Sequence, residues 1–232
     1  MARHGKARPG GADSAGINLP AYHQKGGITL NILLTGADGF IGKIIKKELE
    51  AIGHTIIPGR TDSGELPYNI DCLIHCARSH KNLVYPITED KWIGEFQTDV
   101  YYPYRYTMAM LERNPEIKNI IFISSIYGIK PPKVRQIPIN YQVCKAAEIY
   151  LSKCLAVQLA PIRVNCVIFG GVESDREVAQ QEDDFREKYS AKTLLGHMVF
   201  PDEVAGAVKF LVSDESKGMT GQRIVIDGGY TA

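Results

Sequence analysis

Residues 28–53 read ITLNILLTGADGFIGKIIKKELEAIG, and this stretch decides the fold. The apolar run at 28–34 predicts a short buried strand, and the helical spacing of apolar residues at 44–52 predicts a helix that ends at Gly53. Residues 35–42, which join the two, contain three glycines. A strand that runs through a glycine-rich turn into a helix is typical of the first unit of a doubly wound, mostly parallel α/β sheet.

The three glycines of this turn have different predicted roles. Gly36 permits the tight turn, Gly39 lets a pyrophosphate approach the backbone, and Gly42 lets the helix pack close to the strand. The backbone N–H groups that begin the helix would then face the phosphates. The turn therefore predicts a dinucleotide site, and the alternative is a tight turn that binds no ligand. The predicted cofactor contacts in this stretch are Gly36, Asp38, Gly39, Phe40, Ile41 and Gly42.

The residue after the second predicted strand indicates which nucleotide would bind. This strand, at 54–57, is followed by Pro58, Gly59 and Arg60. An acidic side chain here would bind the adenosine ribose of NAD, whereas an arginine suits the 2′-phosphate of NADP. Arg60 therefore predicts NADP rather than NAD, and the alternative is a solvated arginine. Residues 61–70 are too short for a crossover helix, so a loop is expected there.

Residues 89–113 predict a helix or a pair of helices, with Pro103 marking a kink or a boundary. An apolar side chain recurs every four residues in this segment, at Trp92, Phe96, Val100, Tyr104 and Met108. Such a stripe is typical of a helix face buried in the core or in a subunit interface.

A candidate catalytic pair follows the apolar strand predicted at 119–123, which leads into Ser124 and Ser125. Tyr141 and Lys145 are four residues apart in a helix predicted from 141 to about 159, so they share one helix face. An ammonium group beside a phenol favours the phenolate, which makes the pair a candidate proton donor to a carbonyl group. The hydroxyl of Ser125 could hold the same carbonyl oxygen. Tyr-x-x-x-Lys alone also occurs by chance on many helices.

Charge and cysteine usage restrict the class of partner. The 232 residues include 27 basic and 26 acidic side chains, which gives no broad electrostatic case for nucleic acid or an anionic membrane, so a small molecule is expected. Five cysteines in mostly apolar segments suit reduced thiols in the cytoplasm. Cys72, His75 and Cys76 resemble metal ligands, but in a strand His75 points away from the two thiols, and no metal site is predicted.

The remaining segments complete a single domain at 28–232. Residues 1–27 lack periodicity and an apolar signal core, so we expect a disordered leader or an expression remnant. Residues 173–200 are charged and irregular and follow a strand predicted at 163–169, where a small substrate lid is expected. A helix at 201–212 and a last strand at 223–226 close the chain.

From about residue 30 to the C-terminus, the order of five motifs resembles the short-chain dehydrogenase/reductase family. These motifs are the glycine turn, the run 121–125, Tyr141 with Lys145, residues 162–165 and the ending 220–229. The resemblance implies a three-layer α/β/α, Rossmann-like fold and an NAD(P)-dependent oxidoreductase.

By position, the resemblance also implies roles for single residues. Tyr141 would be the acid/base, Ser125 would orient the carbonyl group, with Ser124 as the alternative, and Lys145 would bind the nicotinamide ribose. Cys76 and Ala77 would border the cofactor, and Val172 would contact the nicotinamide amide.

The chain departs from the family pattern at several positions. The glycine spacing is that of the extended branch, which often acts on sugar nucleotides, whereas the length and the Asp-Gly-Gly ending resemble the shorter branch. Arg78 stands where a glycine is usual, and it would contact a phosphate, a substrate carboxylate or only solvent. The active-site asparagine falls near Asp99, whose carboxylate could still bind a relay water.

The expected activity is NADPH-dependent reduction of a ketone or aldehyde of a small biosynthetic intermediate. One alternative is a sugar-nucleotide epimerase or dehydratase with tightly bound NAD(P), and the other is a non-catalytic cofactor-sensing or scaffold protein of the same fold. A homodimer or homotetramer is expected through the helices that carry the apolar stripe and residues 141–159.

Overall fold

A computed structural model of the protein describes residues 28–60, 66–78, 85–132, 137–173 and 184–232. The leader predicted at 1–27 and part of the predicted lid, 174–183, lie outside the described residues. Six parallel strands form one sheet in the order β2-β1-β3-β4-β5-β6. The strands are β1 (Asn31–Thr35), β2 (Thr55–Gly59), β3 (Cys72–His75), β4 (Asn119–Ser125), β5 (Arg163–Phe169) and β6 (Arg223–Ile226).

Helices cover both faces of this sheet. They are α1 (Phe40–Ala51), α2 (Glu89–Phe96), α3 (Tyr102–Arg113), α4 (Ile139–Gln158), α5 (Phe185–Ser190) and α6 (Pro201–Val212). A π-helical turn, Gln97–Tyr101, joins α2 to α3, and a 3₁₀ turn, Ile126–Gly128, follows β4. No helix in the described ranges is long and apolar enough to cross a membrane.

The core consists of two apolar layers, one on each face of the sheet. Ile32 and Leu34 point to the face covered by α1 and α6, whereas Leu33 between them points to the face covered by α3 and α4. Successive side chains of a strand alternate between faces, and a parallel sheet buried on both faces therefore needs a continuous apolar run. The predicted doubly wound, three-layer architecture is confirmed.

The connection into β3 contains no helix in its described part, residues 66–71, while 61–65 lie outside the described residues. The side chain of Asn114 holds this loop, because it accepts a hydrogen bond from the Ile70 N–H at 3.2 Å and donates one to the Pro67 carbonyl at 3.0 Å. The described part of this connection is a loop, as the short spacing predicted.

The apolar stripe predicted for 89–113 does not form the core. Trp92, Phe96 and Tyr104 are exposed, with half of the Phe96 surface open to solvent. The face turned inward instead carries Glu95 and Asp99, which are fully buried. That face is polar because it packs against polar side chains of α4, where Asp99 contacts a lysine.

The prediction that the stripe is core was therefore wrong for its exposed members, and the interface alternative stays a prediction. Pro103 is the second residue of α3, directly after the π-helical turn, where its missing N–H interrupts the regular helical hydrogen bonds. It marks a boundary between helices, as predicted.

Candidate active site

The glycine turn lies between the ends of three strands. Gly36 has a φ of +71°, and a Cβ atom there would come within 2.7 Å of the Ala77 Cα and the Cys76 carbonyl oxygen. A Cβ on Gly42 would lie 2.0 Å from the Gly36 carbonyl oxygen. Gly42 therefore lets α1 pack on the turn itself, rather than on the strand as predicted. A Cβ on Gly39 would meet only the Gly36 carbonyl oxygen, at 3.2 Å, so this side of the turn is open.

The N-terminus of α1 faces this open side. The helix begins at Phe40 after Gly39, and no side chain caps it by a hydrogen bond. The N–H groups of a first helical turn have no partner within the helix, and they attract anions. Asp38 and Phe40 are exposed beside them. The backbone of this turn therefore fits the pyrophosphate of a dinucleotide.

The chain that leaves β3 is fixed next to the turn by Thr35. Its hydroxyl oxygen accepts hydrogen bonds from the N–H groups of Cys76, at 3.1 Å, and Ala77, at 3.3 Å. Both residues thus border the glycine turn, at the place where the cofactor is predicted. Their neighbour His75 points into the core, where its Nε2 atom is 2.8 Å from the Thr107 hydroxyl and burial lowers its pKa to about 3.

His75 is therefore a neutral, buried side chain. Among the residues that the structure describes, no three His, Cys, Asp or Glu side chains are grouped so that they could hold a metal ion.

Arg60 directly follows the end of β2. The last residue of β2, Gly59, pairs with Thr35, which precedes Gly36. Neighbouring strands are about 4.8 Å apart, so Arg60 leaves the sheet beside the glycine turn. The structure brings these two sequence features together, and the phosphate-binding role of Arg60 stays a prediction.

The end of β4 packs against α4. The 3₁₀ turn after Ser125 lies so close to the helix that a Cβ on Gly128 would come within 2.7 Å of the backbone carbonyl carbon of Lys145. The Ser124 hydroxyl donates a hydrogen bond to the Lys145 carbonyl at 3.3 Å, whereas the Ser125 hydroxyl accepts one from the Tyr127 N–H at 3.3 Å. Ser125 thus keeps its own hydrogen for another acceptor, which favours it over Ser124 as the residue that holds a carbonyl oxygen.

Tyr141 and Lys145 lie on the same face of α4, as their spacing predicted. The Lys145 Nζ atom is 5.8 Å from the centre of the Tyr141 ring, and both side chains are buried. Lys145 is also bound by two carboxylates, since its Nζ atom is 3.0 Å from Asp99 Oδ2 and 3.0 Å from Glu148 Oε2. Burial alone would lower the pKa of Lys145, but the two carboxylates outweigh it and raise this pKa well above its ordinary value.

Glu148 is the site residue that sequence reasoning missed. It comes three residues after Lys145 and seven after Tyr141, a spacing that places all three on one helix face. The periodicity that paired the tyrosine with the lysine would have found it. Burial raises the pKa of the Glu148 carboxyl to about 7, although Lys145 acts in the opposite direction.

Arg78 lies at the outer side of Tyr141. Its guanidinium carbon is 5.0 Å from the centre of the tyrosine ring, within the range of a cation–π contact. The side chain is exposed. The contact with Tyr141 favours the alternatives in which Arg78 acts at the site, and its role there stays a prediction.

The segment after β5 closes the other side of the site. Val172 is buried with Ile41 and Val204 in a small apolar cluster, which links it to α1. The Tyr189 hydroxyl of α5 accepts a hydrogen bond from the Gly171 N–H. The described part of the predicted lid thus packs on the end of β5, and its movement over a substrate stays a prediction.

Comparison with known proteins finds similar sequences. Residues 64–231 match a family model described as enoyl-(acyl carrier protein) reductase. The chain is 30% identical over 209 residues to a 3-oxoacyl-acyl-carrier-protein reductase from Thermotoga maritima, which covers 86% of this chain and 82% of that protein. It is 35% identical to tropinone reductase-like 3 from Erythroxylum coca, over 48% of this chain and 43% of that protein. It is 37% identical to cyclopentanol dehydrogenase from Comamonas testosteroni, over 62% of this chain and 59% of that protein. The chain thus spans less than two thirds of the length of these last two relatives.

Solved structures share the fold. A short-chain dehydrogenase from Leptospira borgpetersenii, described with bound NAD⁺, is 25% identical, with a TM-score of 0.75 over 88% of this chain and 93% of that one. A short-chain type dehydrogenase/reductase from Mycobacterium marinum is also 25% identical, with a TM-score of 0.69 over 88% and 95%.

Proposed function

This chain belongs to the short-chain dehydrogenase/reductase family, and we propose that it uses NADPH to reduce a ketone or aldehyde of a small biosynthetic intermediate. The observation that carries the proposal is the position of Tyr141 and Lys145, on a helix that packs against the end of β4 at Ser125. This position supports a reaction in which an acid, a cation and a hydroxyl act together beside the turn proposed to hold the dinucleotide.

Each of these side chains has a chemical task in the proposed reaction. Tyr141 donates its phenolic proton to the carbonyl oxygen, and the Ser125 hydroxyl donates a hydrogen bond to the same oxygen as negative charge develops there. The ammonium group of Lys145 stabilises the phenolate that remains. An ammonium has three N–H donors, so Lys145 keeps one for a ribose hydroxyl after contacting two carboxylates.

The proposed cofactor site follows the strand ends from β2 to β5. The backbone of Gly36, Gly39 and Gly42 would hold the pyrophosphate, with Asp38, Phe40 and Ile41 around it, and Arg60 would hold the 2′-phosphate. Cys76 and Ala77 would border the cofactor, and Val172 would contact the nicotinamide amide. When bound, the nicotinamide supplies the hydride.

The charge of Arg78 supports a substrate that carries an anionic group. A guanidinium group binds carboxylate and phosphate well, and this one lies 5.0 Å from the ring of the proposed proton donor. We therefore propose that the carbonyl compound has a carboxylate or phosphate near the reacting carbon.

We propose that the protein is located in the cytoplasm, with its cysteines as reduced thiols. All five cysteines are free, and Cys72, Cys144 and Cys166 are buried. Free thiols persist in the cytosol, where disulfides are rare.

The experiment that tests the activity compares the wild type with Tyr141→Phe. We expect the variant to lose several orders of magnitude in kcat, because it keeps the ring but has no proton to donate, while its Kd for NADPH stays within about twofold. The matched control is Tyr150→Phe, an exposed tyrosine on the same helix, which should keep full activity. Full activity of Tyr141→Phe would overturn the mechanism.

The same assay separates the alternative activities. An epimerase or dehydratase would hold nucleotide through dialysis and show no net oxidation of added NADPH. A cofactor-sensing protein would bind NADPH but turn over no carbonyl compound in a manner that depends on Tyr141.

A further inference from the structure

A buried cluster of three charged side chains lies behind Tyr141. Lys145 is 4% exposed, Glu148 2% and Asp99 0%, and the lysine Nζ atom is 3.0 Å from an oxygen of each carboxylate. With all three groups ionised, two negative charges face one positive charge in a buried site. A net buried charge is costly, and a carboxyl group in such a site relieves it by taking a proton.

Glu148 is the group of this cluster that changes protonation near neutral pH. Burial raises its pKa to about 7, the Asp99 carboxylate adds to this increase, and Lys145 opposes it. Every element packed around Glu148 contributes a polar neighbour. These neighbours are Cys144 and Lys145 of α4, Asp99 of the π-helical turn, Ser124 of β4, Cys166 of β5 and Cys76 after β3.

The thiols among these neighbours do not compete for the proton. Burial raises the pKa of Cys76 and of Cys144 to about 12, and it raises the pKa of Cys166 further still. All three therefore stay protonated through the neutral range. Lys145 is likewise charged before each turnover, because its pKa is raised well above the ordinary value.

We propose that Glu148 is a positioning residue that stores the proton with which Lys145 restores Tyr141 after each reduction. This inference rests on the proposed function, because it takes Tyr141 as the proton donor. Lys145 is near both side chains, with its Nζ atom 5.8 Å from the Tyr141 ring centre and hydrogen-bonded to Glu148 Oε2 at 3.0 Å.

The proton steps balance without any redox partner. The O–H bond of Tyr141 breaks as its proton forms the O–H bond of the alcohol product, and a phenolate remains. An N–H bond of Lys145 then breaks to restore the phenol, and the carboxyl O–H bond of Glu148 breaks to restore the ammonium. The Glu148 carboxylate takes its next proton from water between turnovers, and the oxidation direction reverses each step.

The first test measures the proton on Glu148 directly in the nucleotide-free protein. Infrared spectra recorded from about pH 5 to about pH 9 should show a protonated carboxyl band that disappears with a midpoint near 7. The band should be missing in Glu148→Gln and present in Glu95→Gln, a control that makes the same change at another buried carboxylate. A wild-type spectrum with no carboxyl titrating in this range would overturn the proposal without any variant.

Unfolding by urea gives a second readout, because the raised pKa of Glu148 determines whether the stability of the protein rises or falls with pH. The pKa of Glu148 is higher in the folded protein than its ordinary value of 4.5, so its contribution to stability is complete below about 4.5 and is lost as the pH rises through about 7. Glu148→Gln removes this loss. The stability of the variant relative to the wild type should therefore increase from about pH 6 to about pH 8, and a constant difference would count against the proposal.

The third test is the pH dependence of kcat for reduction. Wild-type kcat should fall by up to about tenfold per pH unit above 7, as Glu148 loses its stored proton. Glu148→Gln should have a lower kcat at about pH 6, by roughly tenfold, with little further change up to about pH 8 and an unchanged KM. A purely structural role would lower kcat by the same factor at every pH, and that result would overturn the proposal.

Asp99→Asn keeps the proposal testable if Glu148→Gln does not fold. Asp99 raises the pKa of Glu148, so the neutral variant should move both the infrared midpoint and the fall in kcat to lower pH. An unchanged midpoint would contradict the cluster. Full activity of Tyr141→Phe would overturn the proposed function whatever the infrared titration shows, whereas a missing titration in a Tyr141-dependent enzyme would overturn only the proton store.

Discussion

Arg60 is the residue on which the proposed preference for NADP over NAD depends. It leaves the sheet directly after Gly59, beside the turn at Gly36. Replacing Arg60 with Ala should weaken NADPH binding about tenfold or more, ~1.4 kcal/mol, because the cation no longer meets the 2′-phosphate, while NADH binding changes little. Parallel fluorescence titrations with the two nucleotides measure this difference. Lys47→Ala, which removes an exposed cation from α1, is the control, and equal weakening of both nucleotides by Arg60→Ala would contradict the assignment.

The position of Arg78 leads to a prediction about the charge of the substrate. Its contact with the Tyr141 ring places a positive charge at the mouth of the site. Arg78→Ala should raise KM for a keto acid about tenfold and leave KM for the matched neutral ketone unchanged, because only the acid pairs with the guanidinium. Steady-state kinetics on the two substrates measure both values. A similar rise for both ketones would mean that Arg78 acts on the shape of the site and not through charge.

Part of the candidate active site could be predicted from the sequence. The pairing of Tyr141 with Lys145 was predictable, because a four-residue spacing fixes the helix face. The contact between Lys145 and Asp99 was not, because it joins residues 46 positions apart through the packing of two helices. The helical spacing also places Glu148 on the face of Tyr141 and Lys145. Only its burial in the structure distinguishes it from a solvated glutamate on a helix surface.

At the scale of elements, the packing of α1 on the glycine turn can be tested through Gly42. A Cβ on Gly42 would lie 2.0 Å from the Gly36 carbonyl oxygen, a backbone atom that cannot move aside easily. Gly42→Ala should therefore lower the free energy of unfolding by about 2 kcal/mol or more and weaken nucleotide binding as the turn shifts. Urea unfolding and the NADPH titration measure the two effects. The control is Gly206→Ala in α6, where a Cβ would meet no atom within 4 Å and a gain of about 0.5–1 kcal/mol is expected.

The elements themselves were mostly predictable, and the exceptions have physical causes. The segments β5, α6 and β6 have the predicted bounds, because apolar runs and a proline at the helix start define them locally. The stripe from Trp92 to Met108 was wrongly predicted to lie in the core, because periodicity shows that a helix face is apolar but not which surface covers it. The π-helical turn Gln97–Tyr101 has no local sequence signal, and it turns Asp99 toward α4.

In the whole molecule, the strand order explains why the candidate site residues lie at one end of the sheet. Residues that lie up to 89 positions apart in sequence, from Gly36 to Ser125, follow or end neighbouring parallel strands. Parallel strands end at one edge, so the order of motifs along the chain was enough to predict a shared site. The charge balance around Lys145 could not be predicted in this way, since it depends on how deeply three side chains are buried.

An exposed apolar row on α4 indicates how the protein assembles. Val143, Tyr150 and Val157 are exposed at intervals of seven residues along α4, which places them on one helix face, and 82% of the Val157 surface is open. Phe96 is a further exposed apolar side chain, on α2, which packs beside α4. We expect a second copy of the chain to cover it, because contiguous exposed apolar patches mark interaction sites.

Static light scattering at micromolar concentration should then report a homodimer or a homotetramer, and Val157→Arg should dissociate it because the patch would have to bury an unpaired cation. Leu195→Arg is the matched control, since it adds the same charge at an exposed leucine away from α4. A variant that dissociates but keeps its Kd for NADPH would show that each protomer holds a complete cofactor site. A monomeric wild type would contradict the prediction and leave the row on α4 as exposed apolar surface.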